Sequence, residues 1–353
     1  MWKAFSEKDP AFDGTFFVAV KTTGIFCRPV CRAKPPRPDN VEFFPTAREA
    51  VREGYRACKL CRPLEPAGRP PEGVRRLIDL VAKADGRRLT DADLHEIGID
   101  PSTARRQFRR HTGITFAAYQ RTRRLGAALQ EVRAGSPLAV AQVGAGFESE
   151  SGFREAFART FGTTASRAEG VGVLTARWFP TPLGTMVGLA SEDGVVILDF
   201  VDRKGLERAV ERARRACRGA GDLAAVVPGE NRHLELLSRE LAEYFAGARG
   251  QFSVRVAACA GTAFERRAWG FLKTIPYGET RSYGQQAAAM GCPNASRAVG
   301  RANGMNYVSI VIPCHRVVGA SGELTGYGGG LQRKRWLLDH ERRVAARLCL
   351  TTA

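Results

Sequence analysis

Two cysteine pairs near the start of the chain restrict what its N-terminal region can become. Cys27-Arg-Pro-Val-Cys31 is followed, after 26 residues, by Cys58-Lys-Leu-Cys61. Such spacings let each pair bite one tetrahedral ion, and an all-thiolate set suits zinc. The competing reading is four buried cysteines in a small core. Zinc is the expectation carried forward, because residues 1–65 have only a thin core of their own and gain much from a metal staple.

The whole chain has 353 residues, too many for one ordinary core, and its length suggests roughly two to four domains. Nine cysteines make an odd number, which in a reducing compartment favours ligands, nucleophiles and core residues over disulfides. No apolar run approaches the roughly 18 residues of a membrane helix, and MWKAFSEKDP lacks a signal-peptide core. A cytoplasmic protein is therefore expected, with no membrane partner. The net charge of +18 calls for a polyanion, most simply double-stranded DNA.

The chain falls into four stretches of different texture. Short strand-like runs such as FFVAV surround the cysteines, and RPLEPAGRPPEG at 62–73 is a linker by composition. Residues 74–168 are helical and arginine-rich. From 176, WFPTPLGTMVGLAS and VVILDF form strands joined across SEDG, followed by helical periodicity at 203–219 and 231–247. After 262 come helices and glycine-rich loops, closing on QRKRWLLDHE. The expected fold class is multidomain α+β.

Around the cysteines, TTGIFCRPVCRAKPPRPDNVEFF and GYRACKLCRP closely resemble the N-terminal zinc domain of the bacterial adaptive-response (Ada) family. The resemblance implies that Cys27 accepts a methyl group from a DNA methylphosphotriester, while Cys31, Cys58 and Cys61 remain Zn2+ ligands. No acid occurs among residues 15–38, where Lys21, Arg28, Arg32, Lys34 and Arg37 offset the four thiolates and suit a phosphate backbone. Methylation would remove one negative charge from a DNA-facing surface. At about 8 Å from a phosphate and an effective dielectric of about 20, that charge is worth on the order of 2 kcal/mol. Repair would thus convert the protein to a transcriptional activator, with RNA polymerase as a partner.

In the helical region, Ser136-Pro137 is a good N-cap and N1 pair for LAVAQVGA, Gly146-Phe147 makes a turn, and SESGFREAFARTF ends at Gly162. DADLHEIGI, the break at Asp100-Pro101 and STARRQFRRHTG form a second copy. Residues 101–124 hold seven arginines and no acid. A phosphate backbone explains that better than a solvated face, although a plain helical connector is the bland alternative. GFESESGFREAFARTFGTTAS resembles the AraC-type double helix-turn-helix. That resemblance places Arg105, Arg106, Arg109 and Arg154 among the DNA contacts.

Near the C-terminus, SIVIPCHRVVG sets a cysteine and a histidine in apolar surroundings. Pro313 cannot donate to a ladder, so a strand VSIVI is expected to end there, with Cys314 on a turn. His315 would then act through water and would need an acid to orient it. Residues 264–341 strongly resemble the O6-alkylguanine-DNA alkyltransferases. The resemblance implies that Cys314 is the alkyl acceptor, His315 its base through water, Glu341 the orienting acid and Asn306 the brace of the turn. Tyr283 would help rotate the nucleotide and protonate the leaving guanine, and Arg297 would enter the duplex. Tyr307 stands where that family usually has proline. The resemblance also implies a ribonuclease-like α/β module at 176–255, a winged-helix-like core at 262–345, action on O6-methylguanine and O4-methylthymine, and a monomer.

Other readings are weaker. GYGGGL at 326–331 lacks the strand-to-helix context and lysine of a phosphate loop. A hydrolase would need an oxyanion hole, of which there is no motif. A regulator whose C-terminal module binds DNA without transferring anything is the remaining alternative. Cys217, Cys259, Cys292 and Cys349 have no partner at ligand spacing and are expected in core or surface, and His233 is expected on a solvated helix face.

Overall fold

The computed structural model describes the chain outside residues 9–11, 13–15, 62, 65–71, 85, 258–260 and 352–353, with the backbone alone for residues 348–351. Cys259, the side chain of Cys349 and most of the expected linker lie outside the described residues.

Helix α1 (Trp2–Ser6) packs on a four-stranded sheet of β1 (Phe17–Val20), β2 (Ile25–Cys27), β3 (Val41–Phe44) and β4 (Arg56–Ala57), ordered β3-β1-β2-β4; helix α2 (Ala47–Arg52) follows β3. Side chains alternate across a strand, so this sheet divides its apolar residues between two faces. Phe16 and Val18 join Ala4 and Phe5 on one face, while Phe17, Ala19, Phe26 and Ala50 cluster on the other. Neither cluster is large.

The next region is helical: α3 (Glu72–Lys83), α4 (Asp91–Glu96), α5 (Pro101–Thr112), α6 (Phe116–Arg133), α7 (Leu138–Gly144) and α8 (Glu150–Phe161). Their ends follow capping chemistry. Asp100 accepts the Thr103 amide at 2.8 Å with Pro101 at N1, Ser149 accepts the Gly152 amide at 3.2 Å, and Gly113 and Gly162 close α5 and α8 with φ of 80° and 69°. One cap differs from expectation. Pro137, not Ser136, is the N-cap of α7, because the Ser136 hydroxyl donates instead to Glu131 at 2.7 Å.

A second four-stranded sheet follows, with β5 (Val173–Thr181), β6 (Gly184–Ser191), β7 (Gly194–Phe200), α9 (Leu206–Ala216), β8 (Ala225–Pro228) and α10 (Arg232–Ala246); its order is β7-β6-β5-β8. The SEDG hairpin joins β6 and β7, but β5 starts three residues before 176, and β8, parallel to β5, had no sequence signal. Helix α6 covers this edge strand. A Cβ on Gly126 would lie 3.1 Å from Val227, which accounts for a glycine inside a helix. His233 is not on a solvated face: it is buried at the start of α10, with Nε2 at 3.0 Å from the Glu192 carbonyl.

The C-terminal elements are α11 (Ala263–Leu272), β9 (Arg281–Ser282), α12 (Tyr283–Ala289), α13 (Ser296–Gly304), β10 (Val317–Val318) and α14 (Leu331–Thr351), with β9 and β10 parallel. They share one core with the second sheet, running from Phe179 and Phe200 through Leu237 and Tyr244 to Trp269, Ile312 and Leu337. The expected strand VSIVI is absent. Val308 and Ser309 make isolated bridges to Leu198 and Ile312, and Ile310 has φ of 74°, so the chain reverses before it reaches Cys314. No helix among the described residues is long and apolar enough to cross a membrane.

Candidate functional site

Cys314 stands where a proline forces the backbone to fold back. Pro313 has φ −83° and ψ 61°, and the Cys314 amide donates to the Ile312 carbonyl at 2.8 Å, an inverse γ-turn. A short 3₁₀ turn, Cys314–Arg316, then carries the cysteine, His315 and Arg316. Asn306 holds this arrangement from the side. Its Nδ2 donates to the Ile312 carbonyl at 2.8 Å and to Cys314 Sγ at 3.1 Å, and its Oδ1 accepts the Val308 amide at 3.0 Å. These bonds occupy backbone groups that a regular strand would need, which is why VSIVI is not one.

Glu341, on α14, is fully buried. It accepts from His315 Nε2 at 2.8 Å, Arg316 Nε at 2.8 Å and Nη2 at 3.1 Å, Tyr244 Oη at 2.9 Å and the Gly278 amide at 3.1 Å. A carboxylate only accepts, so Nε2 of His315 carries the hydrogen. His315 Nδ1 is then an acceptor, and it meets no hydrogen-bond partner among the described residues. Cys314, His315, Asn306 and Glu341 therefore form one connected site.

Burial sets the charges of this site. It pushes the Cys314 thiol up, against the pull of the Asn306 amide. It also pushes His315 down, against Glu341, so the imidazole is neutral. Burial opposes charge on Glu341 as well, but His315 and Arg316 prevail and hold its carboxyl well below the usual range. Lys334, with no exposed surface, is pushed down to about 8 by burial, the Cys314 charge opposing. The His315 and Glu341 shifts have one sign for stability. Both folded values lie below the unfolded values of 6.5 and 4.5, so the unfolded chain binds more protons as the pH drops through them. The stabilisation is complete above 6.5 and declines below it, and calorimetry is expected to show a melting temperature that falls with acidification. A Glu341→Gln variant, which leaves Arg316 without its counter-charge, should lose about 3–5 kcal/mol at neutral pH.

Tyr283 opens α12, with its hydroxyl 3.4 Å from the Thr325 carbonyl, and burial pushes its pKa up. Arg297 lies exposed in the first turn of α13. Tyr307, in the unexpected position, is a buried ring with the Arg203 and Arg212 guanidinium carbons 5.7 and 5.8 Å from its centre. Reasoning from sequence missed Arg316, Tyr244, Lys334, Asp199 and Arg203. Only Asp199 had a signal, an acid inside the apolar run VVILDF.

In the N-terminal sheet, Cys27 ends β2, Cys31 closes a turn from Arg28, and Cys58 follows β4 with its amide bonded to the Phe26 carbonyl at 3.0 Å. The four Sγ atoms lie within 4.8 Å of one another, and Cys31 and Cys58 are 3.9 Å apart. Tetrahedral Zn–S bonds place sulfurs about 3.8 Å apart, so the set fits Zn2+. Hydrogen bonding to Cys31 and Cys61, then burial, pushes the Cys27 thiol far up, while hydrogen bonding to Cys27 and Cys61 pushes Cys31 down. So dense a group of sulfurs carries its full charge only around a cation. The Arg28 amide donates to Cys61 Sγ at 3.3 Å, as thiolate ligands require.

The arginines divide into two kinds. Arg32, Arg106 and Arg109 are exposed, and so are Arg105 and Arg154, which pair with Asp91 and Glu150. Arg28 is buried at 8% exposure, whereas an exposed DNA contact was expected there. Arg124, one of the seven in the acid-free stretch, is structural. It donates to the Ala145 and Gly146 carbonyls at 2.8 and 3.1 Å and lies over Phe147, locking the α7–α8 turn onto α6.

Three family models match in succession: the metal binding domain of Ada at residues 1–64, a helix-turn-helix domain at 94–169, and the DNA binding domain of 6-O-methylguanine DNA methyltransferase at 263–343. A methylated-DNA–protein-cysteine methyltransferase of Mycolicibacterium paratuberculosis is 59% identical over 104 residues, 30% of this chain and 62% of that protein. The crystal structure of Mycobacterium tuberculosis OGT in complex with DNA matches at 39% identity and TM-score 0.41, over 48% of this chain and 94% of that one. Along nearly the whole length, the bifunctional transcriptional activator/DNA repair enzyme Ada of Escherichia coli is 32% identical over 347 residues, covering 96% of this chain and 95% of that protein. With both cysteine centres and the helix-turn-helix region between them, the chain belongs to the Ada family.

Proposed function

We propose that the chain is a DNA alkylation repair protein and methylation-switched transcriptional activator with two methyl acceptors, Cys314 and Cys27. The observation that carries this reading is the relay at the first of them. A thiol held by the Asn306 amide is followed by a neutral histidine with Nε2 committed to Glu341 and Nδ1 free to take a proton. A bridging water passes the Cys314 proton to Nδ1. The thiolate attacks the methyl carbon of O6-methylguanine in line, the S–C bond forms as the C–O bond breaks, and the electron pair stays on O6. Tyr283 donates a proton to the departing ring, which favours cleavage. His315 returns a proton to Tyr283 through solvent. O4-methylthymine is accepted by the same chemistry.

The lesion lies inside the base stack, so it must be extruded into the site at a cost of a few kcal/mol. Arg297, exposed at the start of α13, fills the space left in the duplex and offsets that cost. The thioether product is stable to water, so each acceptor works once. Glu341→Gln should slow transfer by about 10²–10⁴-fold, because the base loses its orienting partner.

At Cys27 the thiolate takes the methyl of a methylphosphotriester, the C–O bond breaks and the phosphate regains its negative charge. Cys27, Cys31, Cys58 and Cys61 would hold Zn2+, which when bound would keep the sulfurs ionised near neutral pH. Methylation leaves a thioether and one negative charge fewer, which strengthens promoter binding by Arg32 and by the helix-turn-helix residues Arg105, Arg106, Arg109 and Arg154. Recruitment of RNA polymerase by a cytoplasmic monomer completes the switch. The working modules are residues 1–65, 74–168, 176–255 and 262–345, the third ribonuclease-like and the fourth winged-helix-like.

A burst assay tests the guanine reaction. With duplex O6-methylguanine in excess, lesion loss should stop at one equivalent per chain. Continued turnover, or no loss at all, contradicts the reading.

A further inference from the structure

The second sheet carries no acceptor of its own, yet one of its loops reaches the Cys314 site. Asp199, in β7, has no exposed surface. Its carboxylate accepts the Phe200 amide at 2.9 Å and the Ser309 hydroxyl at 3.2 Å, and pairs with Arg203. The Arg203 side chain is 7% exposed and points back across the sheet edge. Its Nη1 donates to the Asn306 carbonyl at 2.8 Å and its Nη2 to the Gly304 carbonyl at 2.6 Å. Gly304 ends α13, where a cation is favoured by the helix dipole. Asn306 is the residue whose amide holds Cys314 and Ile312.

A second observation points to the same side chain. A Cβ on Gly328, within GYGGGL, would lie 2.6 Å from the Arg203 guanidinium carbon. That glycine makes room for the arginine. The guanidinium thus touches the end of the helix that carries Arg297, the turn that holds the acceptor cysteine, and the loop beside the site. The main chain adds two bonds, from the Leu198 amide to the Tyr307 carbonyl at 2.7 Å and from the Ser309 amide to the Leu198 carbonyl at 2.8 Å.

We propose that Arg203, fixed by Asp199, is a positioning residue for methyl transfer: it locks the Gly304 and Asn306 carbonyls, and through Asn306 it keeps Cys314 aimed at the methyl carbon. The inference rests on the transfer chemistry proposed above. Lysine keeps the charge opposite Asp199, but one ammonium lacks the planar fork that spans both carbonyls.

The test is single-turnover transfer by the full chain from duplex O6-methylguanine over a range of DNA concentrations, with melting temperatures measured alongside. Arg203→Gln should lower the saturating rate roughly tenfold to a hundredfold and leave DNA affinity unchanged, since a small misplacement of the nucleophile acts on the chemical step. Arg203→Lys should recover the melting temperature and remain slow, and Cys27 should be methylated normally in both. Full rate in Arg203→Gln, a deficit confined to DNA affinity, or full rescue by lysine overturns the proposal. If Arg203→Gln fails to fold, the Arg203→Lys rate decides alone. An unaltered chain that transfers nothing would instead refute the repair reading.

Discussion

Replacing Cys314 with serine should reduce methyl transfer from O6-methylguanine below detection while Cys27 still accepts methyl from phosphotriesters. The hydroxyl keeps the size of the side chain and can still meet the Asn306 amide, so the site stays assembled. It loses a sulfur that becomes anionic within reach of a neutral imidazole. A hydroxyl's much higher pKa leaves His315, pushed down by burial, too weak a base to ionise it. Removing a nucleophile from such a unit costs up to about a millionfold in rate. Because Glu341 and Arg316 are untouched, the melting temperature should change little. A collapse in stability would mean that the thiol has a packing role not evident in its contacts.

The second large effect concerns the metal. Stripping Zn2+ with a chelator, or replacing Cys31 with serine, should unfold residues 1–64 and abolish methylation of Cys27, with transfer to Cys314 retained. The sheet there divides its apolar residues between two small clusters. Structural zinc contributes roughly 10–16 kcal/mol at neutral pH, comparable with the whole stability of a typical domain. The C-terminal centre shares its core with a different sheet and has no stake in the metal. Loss of the N-terminal amide dispersion in NMR spectra, with C-terminal signals unmoved, is the expected signature.

Much of this architecture was legible locally. Paired cysteines announce a tetrahedral site through spacing alone, and Asp100, Ser149, Gly113 and Gly162 mark helix ends because a cap is a contact over three or four residues. Pro313 before Cys314 signals a turn for the same reason. What could not be read are contacts across long stretches of chain. Glu341 gathers Tyr244, Gly278 and the adjacent His315 and Arg316 from three separate segments, and Arg203 binds carbonyls about a hundred positions away. Composition also misled at single residues. Arg28 and Arg124 belong to two separate basic stretches that each suit a polyanion, yet one is buried and the other ties down a turn. An arginine's five donors serve backbone carbonyls as readily as phosphates, and only the fold decides between them.

The most direct measurement is peptide mapping by mass spectrometry after the chain has met duplex DNA carrying O6-methylguanine and methylphosphotriesters. Transfer to two separate acceptors requires one added methyl on the peptide containing Cys314, one on the peptide containing Cys27 and none on Cys31, Cys58 or Cys61. Guanine repaired with Cys314 unmodified, or the label on another residue, would contradict it.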